Sequence, residues 1–451
     1  MLRQIIRVAR CLVALLLLAI VVVAATGPSG RETGVLVHRP GAADGYTLFA
    51  PIASTETYLI DMAGNVIHTF SGEAPAGNAV YLLDNGHLLR TESAGPGASR
   101  RFTAGGAGGR VVEIAPDGTV VWSYTYLSAT HRQHHDVASL TNGNVLLIAW
   151  EVKTAEQAIG AGRDPALIAD GELWPDTVIE VRPTPPAGGE IVWRWRVWDH
   201  LVQDIDPSLP NYGSPAQRPG RIDINYVERG SGADWNHTNS VCYNEALDQI
   251  ILSVHAFSEL WIIDHAITTA QAAGSAGDLL YRWGNPRAYR AGTEEDQVFF
   301  GQHDAQWIGD GLPDEGDLLA FNNGFRRPGA TFSSVDQITP PLRGDGTYAA
   351  ATAEGYLPDR LTWSYASAAI YSQNISGCQR LENGNTLICS GAEGRLFEVT
   401  PDGRTVWVYV HPFVVRDGDT ARAEVFKARR YPADAPGIVA LLAAISDAAS
   451  P

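Results

Sequence analysis

The chain has 451 residues, 45% of them hydrophobic, which is enough for two or three domains or one large repeat fold and too apolar for a disordered chain. A formal charge of −17 argues against a general binder of DNA, RNA or anionic lipid. Four cysteines, none in a CxxC pair, exclude a disulfide scaffold, while 46 Gly, 26 Pro and 12 Trp against 2 Met favour turn-rich, aromatic-packed β structure.

Arg3, Arg7 and Arg10 open the chain, and Cys11 to Ala25 then run uncharged and apolar. Val23 and Ala25 fit the −3 and −1 positions of a signal-peptidase site. The run falls short of the roughly 20 residues that span a bilayer, so residues 1–26 fit either a cleaved signal or a transmembrane anchor. Both send the chain beyond Gly27 out of the cytoplasm, free in the periplasm or anchored to the membrane. The remaining cysteines then face an oxidising compartment.

Two units recur beyond this segment. The first is a hairpin with an Asn-Gly turn, in VYLLDNGHLL (80–89), VASLTNGNVLLIA (137–149) and CQRLENGNTLIC (378–389), with weaker versions at 240–253 and 305–321. The second is an acidic–apolar strand, a turn and a strand ending in an aromatic. It is clearest in VVEIAPDGTVVWSY (111–124) and LFEVTPDGRTVWVY (396–409), and recurs at 58–70, 178–195, 260–283 and 335–365. Two hairpins per repeat make four short antiparallel strands, so the fold class is all-β, a six-bladed β-propeller over 34–431. Segments 34–40 and 46–51 are the candidates for the sixth inner hairpin, closing the ring and protecting its edges. Residues 432–451 form a C-terminal tail with a short apolar stretch suited to a helix.

The residue just before the first strand of each inner hairpin faces the central channel. Counting back from Leu-x-Asn-Gly aligns Asn78, His135 and Ser376, and the two weaker hairpins start at His237 and His303. A lone histidine is usually a satisfied core residue; three at one repeat station point to function. Asp136 follows His135, Asp234 and Asn239 flank His237, and Asp304 follows His303, so each imidazole has a neighbour to orient it. Convergent imidazoles either ligate zinc, copper or iron, or bind an anion and do acid–base and nucleophilic work. No local metal-binding spacing such as HExxH is present.

HHDVASLTNGNVLL (134–147), DWNHTNSVCYNEALDQIILSVH (234–255), FFGQHDAQW (299–307) and GCQRLENGNTLICSGAEGRLFEVTPDG (377–403) resemble the bacterial arylsulfate sulfotransferase family, PAPS-independent enzymes exported to the periplasm. The resemblance implies a six-bladed propeller that moves a sulfuryl group from a phenolic sulfate ester to a phenol through a sulfated histidine, with no metal and no cofactor. It matches His303 to the histidine that takes the sulfuryl group, and His237 and His135 to those that bind sulfate and assist proton transfer. Where characterised members carry an arginine, this chain has His255; Arg326 or Arg327 would supply the missing charge, or are solvated loop residues. Asn239 and Asn78 complete the candidate substrate-binding set. The partners implied are small phenolic donors and acceptors, with membrane contact only through the N-terminal segment and no nucleic acid.

Two other functions fit the pattern: a related propeller lyase or hydrolase on exported small molecules, and a non-catalytic binding propeller. Turnover of an aryl sulfate with and without phenol separates all three. A two-residue Asn383–Gly384 turn would also place Cys378 opposite Cys389, where either a disulfide or two buried thiols fit.

Overall fold

The computed structural model describes residues 25–26, 31–94, 101–168, 170–227, 232–417 and 420–449. Apart from Ala25–Thr26, which pair as a short strand with Glu32 and Thr33, the basic and apolar start lies outside the described residues. Among the described residues no helix is long and apolar enough to cross a membrane.

Among the described residues six antiparallel blades, five of four strands and one of six, succeed one another around a closed ring. Blade 1 is built from Val425–Tyr431, Tyr46–Pro51, Glu56–Ile60 and Val66–Ser71, counted from the innermost strand outward. Blade 2 starts at Ala76–Leu82, blade 3 at His131–Ser139, blade 4 at Thr238–Asn244, blade 5 at His303–Trp307 and blade 6 at Gly377–Arg380. Each innermost strand contacts the next, and that of blade 6 contacts Val425–Tyr431.

Ring closure differs from the expectation drawn from residues 34–40. Tyr46–Pro51 does lie in the closing blade, but its inner partner is the late strand Val425–Tyr431. Residues 32–38 instead pair with Thr405–Val410 as an added strand on the rim of blade 6. A ring closed by strands from distant parts of the chain leaves only short inner edges, sheltered in the channel by their neighbours.

In five of the six blades a tryptophan of the fourth strand, counted outward, is a fastener between blades. Trp122 donates its indole N–H to Gly188 O at 2.8 Å, Trp193 to Ile267 O at 2.8 Å, Trp283 to Pro358 O at 2.9 Å, Trp363 to Pro401 O at 2.9 Å and Trp407 to Met62 O at 3.0 Å. Each bond runs from one blade to its successor, so a buried Trp packs with its body and bonds with its tip.

The Asn-Gly turns are three-residue loops rather than two-residue ones. In blade 2 the Gly86 N–H bonds to Leu83 O, Leu83 N–H bonds to His87 O, and Gly86 has φ +81°, a type I turn followed by a left-handed glycine. The same bonds recur at Leu140–Asn144 and Leu381–Asn385. The register moves by one residue, so Cys389 faces Gly377 and Cys378 faces Ile388. A one-residue shift reverses the face of a strand side chain. Cys378 packs with Ile308 and Phe321, Cys389 with Phe49 and Trp407, on opposite faces of blade 6, and both are free thiols.

Helix Pro436–Ala449 comes after the closing strand. Its Ile438 and Leu441 are buried against Leu82 and Leu88 of blade 2. A Cβ on Gly86 would come within 2.7 Å of Leu441 N, so the turn glycine also lets the helix approach.

Candidate active site

The inner strands share a bulge where they open onto the channel. Asn78, His135, His237 and Ser376 are left-handed there, with φ of 126°, 50°, 52° and 87°, and strand register breaks at the bulge in blades 2, 3 and 4. A left-handed residue costs conformational energy and a bulge re-aims its side chain, a combination concentrated at functional sites. In blade 5 the left-handed residue is Asp304, with φ 57°, so His303 stands one position earlier than its counterparts.

The imidazoles nevertheless meet. Ring centroids are 4.6 Å apart for His135–His237, 5.1 Å for His237–His255 and 5.0 Å for His255–His303. Phe426 of the closing strand lies 6.2 Å from His303 and 6.0 Å from His135, completing a circuit of five rings. His135, His255 and His303 are buried, while the His237 side chain keeps 19% of its surface exposed and is where solvent reaches the row.

Each imidazole is held by a different partner. His303 Nδ1 lies 2.8 Å from Asn323 Oδ1, and the Asn323 amide donates to Ser372 O and Ile375 O. The carboxamide oxygen can only accept, so His303 carries its proton on Nδ1 and a lone pair on Nε2. That lone pair accepts the Ile375 N–H at 3.1 Å. His237 Nδ1 donates to Asp234, which also accepts the Trp150 indole N–H at 2.9 Å. Burial alone would raise the Asp234 pKa, but His237 outweighs it and holds the carboxyl below the usual range. Burial, then the nearness of the basic groups His237, His134, His303 and Lys427, depresses His135 well below an ordinary imidazole.

Asp136 and Asp304 do not orient the histidines beside them. They turn down the channel to Lys427 and Arg429 of the closing strand. Lys427 Nζ is 2.7 Å from Asp136 and 3.3 Å from Asp304, and Arg429 grips Asp304 through both terminal nitrogens, at 2.8 and 2.5 Å. Tyr81 donates to Asp136 at 2.8 Å. Asp304 would be raised by burial, yet Arg429 and Lys427 lower it to about 2. This neutralised lattice floors the imidazole circuit.

The remaining candidates take separate places. Asn239 is buried and donates to Gln302 O at 2.8 Å, tying blade 4 to the residue before His303. Asn78 is half-buried at the blade 2 station. Arg326 lies over the Phe325 ring, and Arg327 between Phe300 and Phe332; their cation–π partners belong to blade 5 loops, not to the imidazole row. Gly106, with φ +77°, crosses the His135 ring so closely that a Cβ would lie 2.2 Å from Cε1 and Nε2. Among the described residues no group of three or more His, Cys, Asp or Glu is arranged to hold a metal ion.

Sequence reading did not single out His134, Asp176, Asn323, Phe426, Lys427 or Arg429. The doubled His134–His135 and the FNNG stretch at 321–324 were available signals; the closing strand, with three basic residues in VFKARRY, carried none.

The profile of the arylsulfotransferase (ASST) family matches residues 39–411, from the first blade to the last. The chain belongs to that family. It is thus an arylsulfotransferase-family enzyme, and aryl sulfates are the substrates the family implies. No curated protein matches the chain. Similar solved structures include a Bacteroides caccae protein of unknown function (12% identity, 86% of this chain and 99% of that one, TM-score 0.47). A Pseudomonas aeruginosa periplasmic gluconolactonase is also similar (12% identity, 86% and 98%, TM-score 0.41). So is a Staphylococcus aureus virginiamycin B lyase (10% identity, 88% and 90%, TM-score 0.37).

Proposed function

We propose that the chain moves a sulfuryl group from a phenolic sulfate ester to a phenolic acceptor through a sulfated His303. The observation that supports this most is the fixed tautomer of His303, with Nδ1–H on Asn323 and the lone pair on Nε2. In the first half-reaction the Nε2 lone pair attacks sulfur, the S–O(aryl) bond breaks and the bonding pair leaves on the phenolate. The Ile375 N–H is released from Nε2 as the N–S bond forms. The substituted ring is cationic, and Asn323 Oδ1 stabilises it at Nδ1–H. In the second half-reaction an acceptor phenol gives up its proton, its oxygen attacks sulfur, and the N–S pair returns to Nε2.

His237 binds the sulfate oxygens and His135 carries protons, with His255 between His237 and His303. Two displacements at one nucleophile avoid holding donor and acceptor together. Export through residues 1–26 would place this chemistry on phenols met outside the cytoplasm.

Turnover of 4-nitrophenyl sulfate tests the reading. Nitrophenol release that requires an added phenol supports a transferase; release by water alone overturns it in favour of a hydrolase. Mass spectrometry after donor alone should find an acid-labile SO3 on the His303 peptide. An adduct elsewhere, or normal turnover of His303→Ala, overturns the assignment.

A further inference from the structure

We propose that His134 and Asp176 form a positioning relay that holds His135 with its lone pair on Nε2, making His135 the base that takes the proton of the acceptor phenol. The assignment of that proton rests on the sulfuryl-transfer reading; the relay itself does not.

His134 Nδ1 lies 2.8 Å from His135 Nδ1, and His134 Nε2 lies 3.2 Å from Asp176 Oδ1. Both His134 and Asp176 are buried, and the second Asp176 oxygen accepts the Thr238 N–H at 2.7 Å. A carboxylate only accepts, so His134 presents Nε2–H to it. With one proton on the ring, placed on Nε2, His134 has its lone pair on Nδ1, and the contact with His135 puts the proton on His135 Nδ1. His135 is neutral where it is buried, so its remaining nitrogen, Nε2, holds the lone pair. The opposite order would aim a lone pair of His134 at the Asp176 carboxylate.

The relay is anchored to the rest of the site. The His134 ring stacks on Trp150 at 4.1 Å, and the same Trp150 bonds Asp234, the partner of His237. One indole thus braces the supports of two adjacent imidazoles. A third group that fixes a histidine tautomer is the recurring device for setting a base.

Asp176→Asn tests this in the full-length protein. The amide would donate to His134 Nε2, moving its proton to Nδ1 and the His135 proton to Nε2. Long-range 15N–1H spectra of the imidazoles should show His135 Nε2 changing from unprotonated to protonated. Transfer from sulfated enzyme to phenol should slow by about 10²-fold, the usual worth of a general base. Sulfation by 4-nitrophenyl sulfate, whose leaving group needs no proton, should change by only a few fold. His134→Phe keeps the stack on Trp150 without either nitrogen and should give the same split between half-reactions. An unprotonated His135 Nε2 in Asp176→Asn overturns the relay, as does an equal fall of both half-reactions in either variant. Failure of sulfuryl transfer is separately visible, as no adduct on the wild-type enzyme.

Discussion

The carboxamide oxygen of Asn323 lies 2.8 Å from His303 Nδ1, across the first strand pair of blade 5. Asn323→Ala removes this acceptor and frees the His303 tautomer. Turnover should fall by about 10²-fold or more with little change in KM, given that disturbing the orienting group of a serine-protease triad costs about 10⁴. Steady-state kinetics beside a melting curve check this; an unchanged kcat in a folded variant would remove Asn323 from the machinery.

Gly106 and Gly105 make a paired control. Gly106→Ala drives a Cβ into the His135 ring at 2.2 Å, whereas a Cβ on Gly105 meets nothing nearer than His237 Cε1 at 4.0 Å. Gly106→Ala should lose at least about tenfold in turnover, a displacement effect of the kind that misplaces reacting groups. Gly105→Ala should keep near-normal activity. Equal behaviour of the two would show that the His135 contact has no catalytic weight.

Asp304→Asn leaves Arg429 and Lys427 short of charge in a buried site. Removing one member of such a pair typically costs about 3–5 kcal/mol, because the remaining charge stays desolvated. The urea midpoint should fall accordingly, and a shift equivalent to under about 1 kcal/mol would contradict a structural floor.

Acid should weaken the fold in two stages. Burial lowers His411 to about 4 from 6.5, so the unfolded chain binds its proton first and stability drops as pH falls between those values. The limit is about 3 kcal/mol, at roughly 1.4 kcal/mol per pH unit. The Asp304 stabilisation, present above 3.8, disappears as pH falls towards about 2. His411→Gln retains a donor for Ala423 O, the partner of His411 Nε2, and should flatten the loss between pH 6.5 and 4. A loss as steep as that of the wild type would assign the acid sensitivity elsewhere.

How much the sequence disclosed depends on how local each signal is. Asn-Gly hairpins and outer-strand tryptophans repeat within one blade's worth of chain, so the blade count was legible. The turn type was not, because Asn-Gly serves both a two-residue turn and a type I turn with a left-handed glycine; the one-residue difference moved Cys378 away from Cys389. The channel histidines were visible as a repeat station. Their supports were less so: Asn323 lies 20 residues from His303, and Asp176 lies 42 from His134. The closing strand was missed for a physical reason. Nothing in VFKARRY marks Lys427 and Arg429 as buried, and only the carboxylates of blades 3 and 5 make their burial tolerable.

The innermost strand of blade 1 also sets a timetable. Blades 2 to 6 draw all their inner strands from residues 76–380, but Phe426, Lys427 and Arg429 arrive after them. Until residues 425–431 have left the ribosome, Asp136 and Asp304 have no cations and the imidazole circuit lacks its Phe426 side. A partly synthesised chain thus carries its histidines without the floor that shapes them, and the propeller closes only once residues 425–431 are in place.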